Sequence, residues 1–218
     1  MGLFGEMKNV TNVKSFKSLE DTKDADMDLV FVLDKSGSMW NVVEDTIGGF
    51  NSFIERERKS DQKTRVTLVL FDDEYKILYT RKPIDEVEEL TSEEYFASGC
   101  TALLDAVGRT ILSLEGEVAD KVMFVITTDG LENASVEFKR EDVKKLIEAH
   151  DWEFLFIGAD IDSYAEATDL GIRSSNTANY EKSSAGLGAL FGSVSRYRCA
   201  YSKNDTEEME RGWKEDLD

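Results

Sequence analysis

Residues 34–38 are Asp-Lys-Ser-Gly-Ser, placed directly after the apolar run Leu29–Leu33. One carboxylate and two hydroxyls so close together are the beginning of an oxygen site for a hard divalent cation. Gly37, between the serines, lets the backbone bend sharply, so the oxygens converge instead of alternating across a pleat. Two later segments carry the same kind of donor at the same kind of place. Thr101 follows Gly99-Cys100 where a helical pattern opens, and Asp129 precedes Gly130 at the end of another apolar run. Hydroxyls and carboxylates without a suitably spaced His or Cys select Mg²⁺ or Mn²⁺ over Zn²⁺. His150, the sole histidine, stands near a predicted helix end and reads as a surface residue.

Those side chains need a frame that brings them to one edge. Four apolar runs end in polar residues: Leu29–Leu33 in Asp34, Val66–Phe71 in Asp72, Val122–Ile126 in Thr127-Thr128-Asp129, and Phe154–Gly158 in Asp160. Continuous runs of this kind suit strands covered on both faces, as in a parallel sheet between helices. Amphipathic helices lie between them, with Val43, Ile47, Phe50 and Ile54 on one face, and Leu104, Val107, Ile111 and Leu114 on another. A third covers 140–150, a short one follows Asp162, and a last spans about 184–199 with Leu187, Leu190, Phe191 and Val194 inward. Gly188 and Gly192 in that helix fit a helix dimer or, more simply, close packing on the sheet, which is the expected use. Tyr75–Thr80 follows Asp72-Asp73-Glu74 too closely for a crossover helix, so it is expected as an antiparallel edge strand joined by a hairpin.

The predicted fold is therefore a doubly wound three-layer α/β sandwich, with a mostly parallel central sheet and one antiparallel edge strand. It occupies residues 27–201, with an extension over 1–26 and an acidic tail over 202–218 that is expected to be solvated or a frayed helix. In such sheets ligands bind outside the carboxyl ends of the strands, where the oxygen-bearing residues collect.

Composition narrows the function classes. A chain of 218 residues that is 41% hydrophobic can bury a substantial core. The formal charge of −19 argues against sequence-independent attraction to nucleic acid or an anionic membrane. No apolar run approaches the ~20 residues that cross a bilayer, and the start lacks the order of a signal peptide, so a cytoplasmic protein is expected. Cys100 and Cys199 are too few for a disulfide framework. Cys100 is expected as a small buried residue under the site.

The three elements, Asp34-Lys35-Ser36-Gly37-Ser38, then Thr101 in Ser98-Gly99-Cys100-Thr101-Ala102-Leu103, then Asp129 in Thr128-Asp129-Gly130, stand in a familiar order. In them the chain resembles the von Willebrand factor A (VWA) domain with its metal-ion-dependent adhesion site (MIDAS). The segments 156–160 and 176–180 are similar to the stand-alone bacterial and phage branch of that family. The resemblance implies that Ser36 and Ser38 bind the metal directly and that Thr101 joins them in a ligand-ready state. Asp34 and Asp129 would act through coordinated water, or exchange with Thr101 as direct ligands. One coordination position would remain for an Asp or Glu of a partner protein, in a subunit of an intracellular assembly.

Neutral hydroxyl ligands, with the carboxylates held one shell away, leave the cation electrophilic toward such a carboxylate. The rival reading is a Mg²⁺-dependent phosphatase or phosphotransferase with Asp34 as nucleophile at a strand end. Such an enzyme of the haloacid-dehalogenase type needs a second aspartate two residues later, and Ser36 stands there. A degenerate domain that no longer binds metal is the third reading. Around the site, Trp40 reads equally as an exposed anchor or as packing on the first helix. Glu132 and Asn133 fit either a role near the metal or a polar loop, Asp72 and Asp73 fit the hairpin turn, and Asp105 is expected to face solvent.

The acidic surface also sets an expectation for salt, because a −19 domain repels an acidic partner at long range and salt screens that repulsion beyond ~8 Å. Affinity for a carboxylate-bearing partner at fixed Mg²⁺ is expected to hold or rise as moderate NaCl is added. A steep loss in a salt titration would contradict carboxylate capture.

Overall fold

A computed structural model describes residues 25–217, so nearly all of the expected extension over 1–26 lies outside the described residues. The strands are β1 (Met27–Asp34), β2 (Thr64–Phe71), β3 (Tyr75–Pro83), β4 (Val122–Thr128), β5 (Glu153–Gly158) and β6 (Thr177–Asn179). The helices are α1 (Val43–Glu57), α2 (Leu103–Leu114), α3 (Arg140–Glu148), α4 (Ser163–Asp169), α5 (Ser184–Lys203) and α6 (Thr206–Glu210). The strands form one sheet in the order β3-β2-β1-β4-β5-β6. All pairings are parallel except the β2–β3 hairpin. The expected α/β sandwich with one antiparallel edge strand is what the chain forms. The three-residue β6 was not anticipated, because it is too short to give an apolar run.

Alternation along β1 explains the two cores. Leu29, Phe31 and Leu33 point to one face and join α1 and α5, while Val30 and Val32 point to the other and join α2, α3 and α4. On the first face the Phe31 ring meets Phe50 and Phe53 edge-on, at centroid distances of 5.5 and 5.2 Å. Gly49 on α1 leaves the room that Phe191 of α5 fills. Gly188 and Gly192 do not have the expected packing role, since a Cβ at either would meet nothing within 4 Å. The face that α5 turns to the core carries Leu187, Leu190, Phe191 and Val194 instead.

This strand order places β1 and β4 side by side although β2 and β3 intervene in sequence. The connections that leave their carboxyl ends run to opposite faces, α1 to one and α3 to the other. A crevice opens where such connections part. Asp34 ends β1 and Asp129 follows β4, so the topology itself brings the first and third site elements together.

The C-terminal segment differs from expectation. α5 ends on Asn204 in the left-handed conformation (φ 56°), and Asp205 caps α6 by accepting from the Glu208 amide. The chain then turns back onto the domain. Trp213 is fully buried, edge-on to Tyr197 at 5.4 Å, and donates from Nε1 to the Ser175 carbonyl at 2.9 Å. Lys214 Nζ donates to the carbonyls of Ser174 (3.1 Å) and Thr177 (2.7 Å) beside β6. The acidic residues of the segment hid one large apolar anchor, and the anchor decides its path.

Trp213→Ala is expected to destabilise the protein by about 3–5 kcal/mol, the usual cost of emptying a buried aromatic site. Denaturant midpoints would register it, whereas a solvated tail would leave them unchanged.

Candidate metal centre

Asp34 is wholly buried, and both of its carboxylate oxygens are engaged. Oδ1 accepts from the Ser36 amide at 2.6 Å, and Oδ2 accepts from Thr128 Oγ1 at 2.6 Å. Ser36 Oγ lies 3.1 Å from Ser38 Oγ, which in turn donates to Asp129 Oδ1 at 2.5 Å. A Cβ added to Gly130 would stand 2.9 Å from Thr101 Oγ1 and 3.8 Å from Ser38 Oγ, so Thr101 closes the group over the β4 end. The five residues singled out from the sequence are thus brought to one place. Asp34, Ser36, Thr101 and Asp129 are buried and Ser38 is exposed, so the cluster has a closed floor and one side toward solvent.

Each piece is held by backbone chemistry from a different loop. Tyr95 donates its hydroxyl to the Asp34 carbonyl at 2.6 Å. The amide of Gly37 donates to the Gly99 carbonyl at 3.1 Å, and that of Ser98 to the Lys35 carbonyl at 2.9 Å. Gly99 has a φ of +67°, and a side chain there would collide with Asp73 Oδ1, which already accepts from the Cys100 amide at 3.1 Å. The Thr101 amide donates to Asn133 Oδ1 at 2.9 Å, while its carbonyl accepts from Asn133 and Ala134 at 3.0 and 3.2 Å. Asn133 therefore positions Thr101 through its backbone, which resolves the open reading of that residue. Glu132 serves the same loop, accepting from the amides of Leu104, Ala134 and Ser135.

Several neighbours stand differently from expectation. Asp105 does not face solvent; it is buried and accepts from the amides of Val136, Glu137 and Phe138, each at 2.9 Å. It pins the loop after β4 because it projects from the first turn of α2 across that loop. Cys100 is exposed, not buried under the site. Trp40 is 75% exposed, which removes packing on the first helix as its role. Asp72 does belong to the hairpin turn, accepting from the Glu74 amide at 2.6 Å, but it also forms a buried ion pair with Lys35 and accepts from Ser98 Oγ at 2.9 Å. The lysine of the first element is therefore neutralised underneath the loop.

Lys182 is a member of the site that the sequence patterns passed over. It lies in the loop between β6 and α5, and its Nζ is 2.6 Å from Asp129 Oδ2 and 3.8 Å from Asp160 Oδ2. That close approach is an ion pair without hydrogen-bond alignment, so Asp129 Oδ2 is compensated in charge yet has no aligned donor. The only signal for Lys182 was its place two residues after the segment 176–180. Without the short β6 in view, nothing linked that segment to Asp129.

Electrostatics follow from this burial. Desolvation pushes the Asp34 carboxyl up to about 6, with the Asp129 charge adding to it and the bonds from Thr128 and Ser36 opposing. The phenols of Tyr95 and Tyr180 are also pushed up, first by burial and then by the same two aspartates. Negative charge is concentrated here at a cost, which a bound cation would relieve. The donor set of two hydroxyls, a threonine and two carboxylates fits a hard divalent ion, and the buried Asp129 Oδ2 is an acceptor without an aligned donor.

Comparison with known proteins agrees with this architecture. The family model of the von Willebrand factor type A domain matches residues 28–192, and the chain belongs to that family. No curated protein sequence matches it. Among solved structures, proximal thread matrix protein 1 from the mussel byssus superposes with a TM-score of 0.58 at 18% identity, covering 79% of this chain and 46% of that one. The same protein with a zinc-occupied MIDAS motif gives 0.55 at 19% identity, covering 84% and 47%. The PilB minor pilin from Streptococcus sanguinis gives 0.64 at 13% identity, covering 82% and 62%. The chain spans less than two thirds of the length of each of these, and at such identities the likeness is one of fold.

The raised Asp34 carboxyl makes a prediction for the protein in EDTA. Because its folded value lies near 6 against 3.8, ionised Asp34 destabilises the fold above about 6, and this penalty fades as pH falls through 6. Asp34→Asn keeps an acceptor for the Ser36 amide, and Thr128 Oγ1 can donate instead to the Gly130 carbonyl 3.0 Å away. The variant is expected to be more stable at neutral pH by about 1–3 kcal/mol. In melts across pH the gain should shrink toward zero under acid conditions.

Proposed function

Starting from membership of the VWA family, we propose that this chain is a non-enzymatic, divalent-cation-dependent protein-interaction module. The observation that carries the reading is the convergence of Asp34, Ser36, Ser38 and Asp129 through direct contacts of 2.5–3.1 Å, with Thr101 beside them. Ser36, Ser38 and Thr101 hold Mg²⁺ or Mn²⁺ by their hydroxyls, and Asp34 and Asp129 supply the compensating charge. The cation then offers a coordination position to an Asp or Glu side chain of a partner protein.

The partner itself presents a carboxylate to a strongly acidic domain, so selectivity rests on the short-range bond to the metal and on side chains around it. Trp40, two residues after Ser38, and Leu131, two after Asp129, are exposed at 75% and 55% and supply apolar contact there. Such a module acts in the cytoplasm as a subunit of an assembly, in the manner of the stand-alone bacterial and phage members. Among the described residues no helix is long and apolar enough to cross a membrane. A mussel protein of the same fold takes zinc at its MIDAS motif, so zinc belongs in the metal series to be tested.

Phosphoryl transfer with Asp34 as nucleophile is disfavoured by its setting. Asp34 has no exposure, and both oxygens already accept short hydrogen bonds. An attacking carboxylate needs one oxygen open to the substrate.

Ser36→Ala removes one hydroxyl without changing charge. Calorimetric titration of the full chain with Mg²⁺, Mn²⁺ and Zn²⁺ is expected to give saturable binding that Ser36→Ala weakens about tenfold or more, an effect of ~1.4 kcal/mol. Partner capture should be lost in EDTA and in the variant together. Equal binding heats from both proteins would remove the metal reading, and phosphate release from generic phosphomonoesters would replace it with the enzyme.

A further inference from the structure

The protein contains its own cation at the proposed metal centre. Lys182 reaches Asp129 from a loop on the far side of β5, and only 16% of its side chain is exposed. Asp129 is wholly buried in its side chain, and Oδ2 has no aligned hydrogen-bond donor. A buried carboxylate beside a second one, Asp34, requires a positive charge, and the ammonium supplies it. The same ammonium lies 3.8 Å from Asp160, whose side chain is 69% exposed and whose backbone takes a left-handed φ of 55° just past β5. One lysine thus has two carboxylates within reach, one buried in the centre and one at its edge.

A divalent ion held by Asp129 would share that carboxylate with the ammonium. Like charges so close in a partly desolvated setting repel strongly. A lysine head on a flexible four-carbon stem relieves the repulsion by moving, whereas a backbone-fixed charge would not.

We propose that Lys182 is a tethered competitor of the divalent cation: its ammonium neutralises Asp129, and metal binding drives it across to Asp160. The inference rests on the metal reading given above and adds the element that sets the affinity of the site. Since the competitor is part of the chain, its local concentration is fixed and does not dilute. The site then binds metal more weakly than its oxygen donors alone would allow, and stays charge-compensated without it.

The test is a titration of the full chain with Mn²⁺, followed by the electron paramagnetic resonance of the free ion and by calorimetry. Wild type, Lys182→Met, Lys182→Arg and Ser36→Ala are compared, with near-ultraviolet circular dichroism to show that each is folded. Lys182→Met keeps the length of the stem without its charge, and is expected to bind Mn²⁺ at least about tenfold more tightly than wild type, the size of one close charge contact. Lys182→Arg keeps the charge and is expected to stay weak. Asp160→Asn removes the second berth, so it should weaken binding in wild type by more than it does in Lys182→Met.

Equal or weaker binding by Lys182→Met, with wild type and Ser36→Ala still differing, would overturn the competitor role and leave the metal centre standing. Saturable binding by none of these proteins would sink the metal reading and this inference with it. Binding by Lys182→Met alone would overturn the displacement, because the ammonium would then hold the wild-type site permanently against the ion.

Discussion

Two carboxylates of like charge stand buried at the ends of adjacent central strands, and much of the surrounding structure answers that constraint. Asp34 ends β1, Asp129 follows β4, and the strand order makes those strands neighbours. Thr128 and the Ser36 amide bond one carboxylate, while Ser38 and Lys182 meet the other. Burial first, and the charge of the same two aspartates second, keep the phenols of Tyr95 and Tyr180 neutral. The stability surrendered at this edge is offset elsewhere, by the aromatic packing of Phe31, Phe50, Phe53 and Phe191 and by the double core on the two faces of β1.

Much of this was legible in the sequence because it rests on patterns with a physical period. Apolar runs that stop at aspartates gave the parallel strands, and the short spacing after Asp72 gave the antiparallel hairpin of β3. The oxygen donors of the centre could be named because three loops repeat one chemistry at one edge. What stayed hidden depends on contacts between distant residues. Asp105 looks like any polar residue in the first turn of a helix until the loop that it bonds is seen beside it. Trp213 sits among acidic residues, and only the position of Tyr197 and Ser175 makes it an anchor. Lys182 follows a three-residue strand that carries no periodic signal.

Family membership and this chain's own side chains account for different features of the structure. Membership accounts for the fold. Charge balance at Asp129, the ion pair of Lys35 with Asp72 under the first loop, and the return of the C-terminal segment are properties of this chain's own side chains. The last two show one principle at work twice. In each, a segment outside the central sheet is held by a buried side chain whose removal would leave a polar group unpaired or a cavity behind.

The loop that Asp105 holds makes this concrete. Its amides at Val136, Glu137 and Phe138 bond the carboxylate, and those of Ala134 and Ser135 bond Glu132, so the path is written in main-chain donors. Main-chain donors are common to every residue but proline. Leu131 and Val136, at 55% and 89% exposure, therefore contribute almost nothing to the course of the loop that displays them. At these two positions route and content are uncoupled, as in a printed form whose lines are fixed and whose fields are blank. Beside the candidate centre, selection can rewrite Leu131 and Val136 without redrawing the ground on which Thr101 stands.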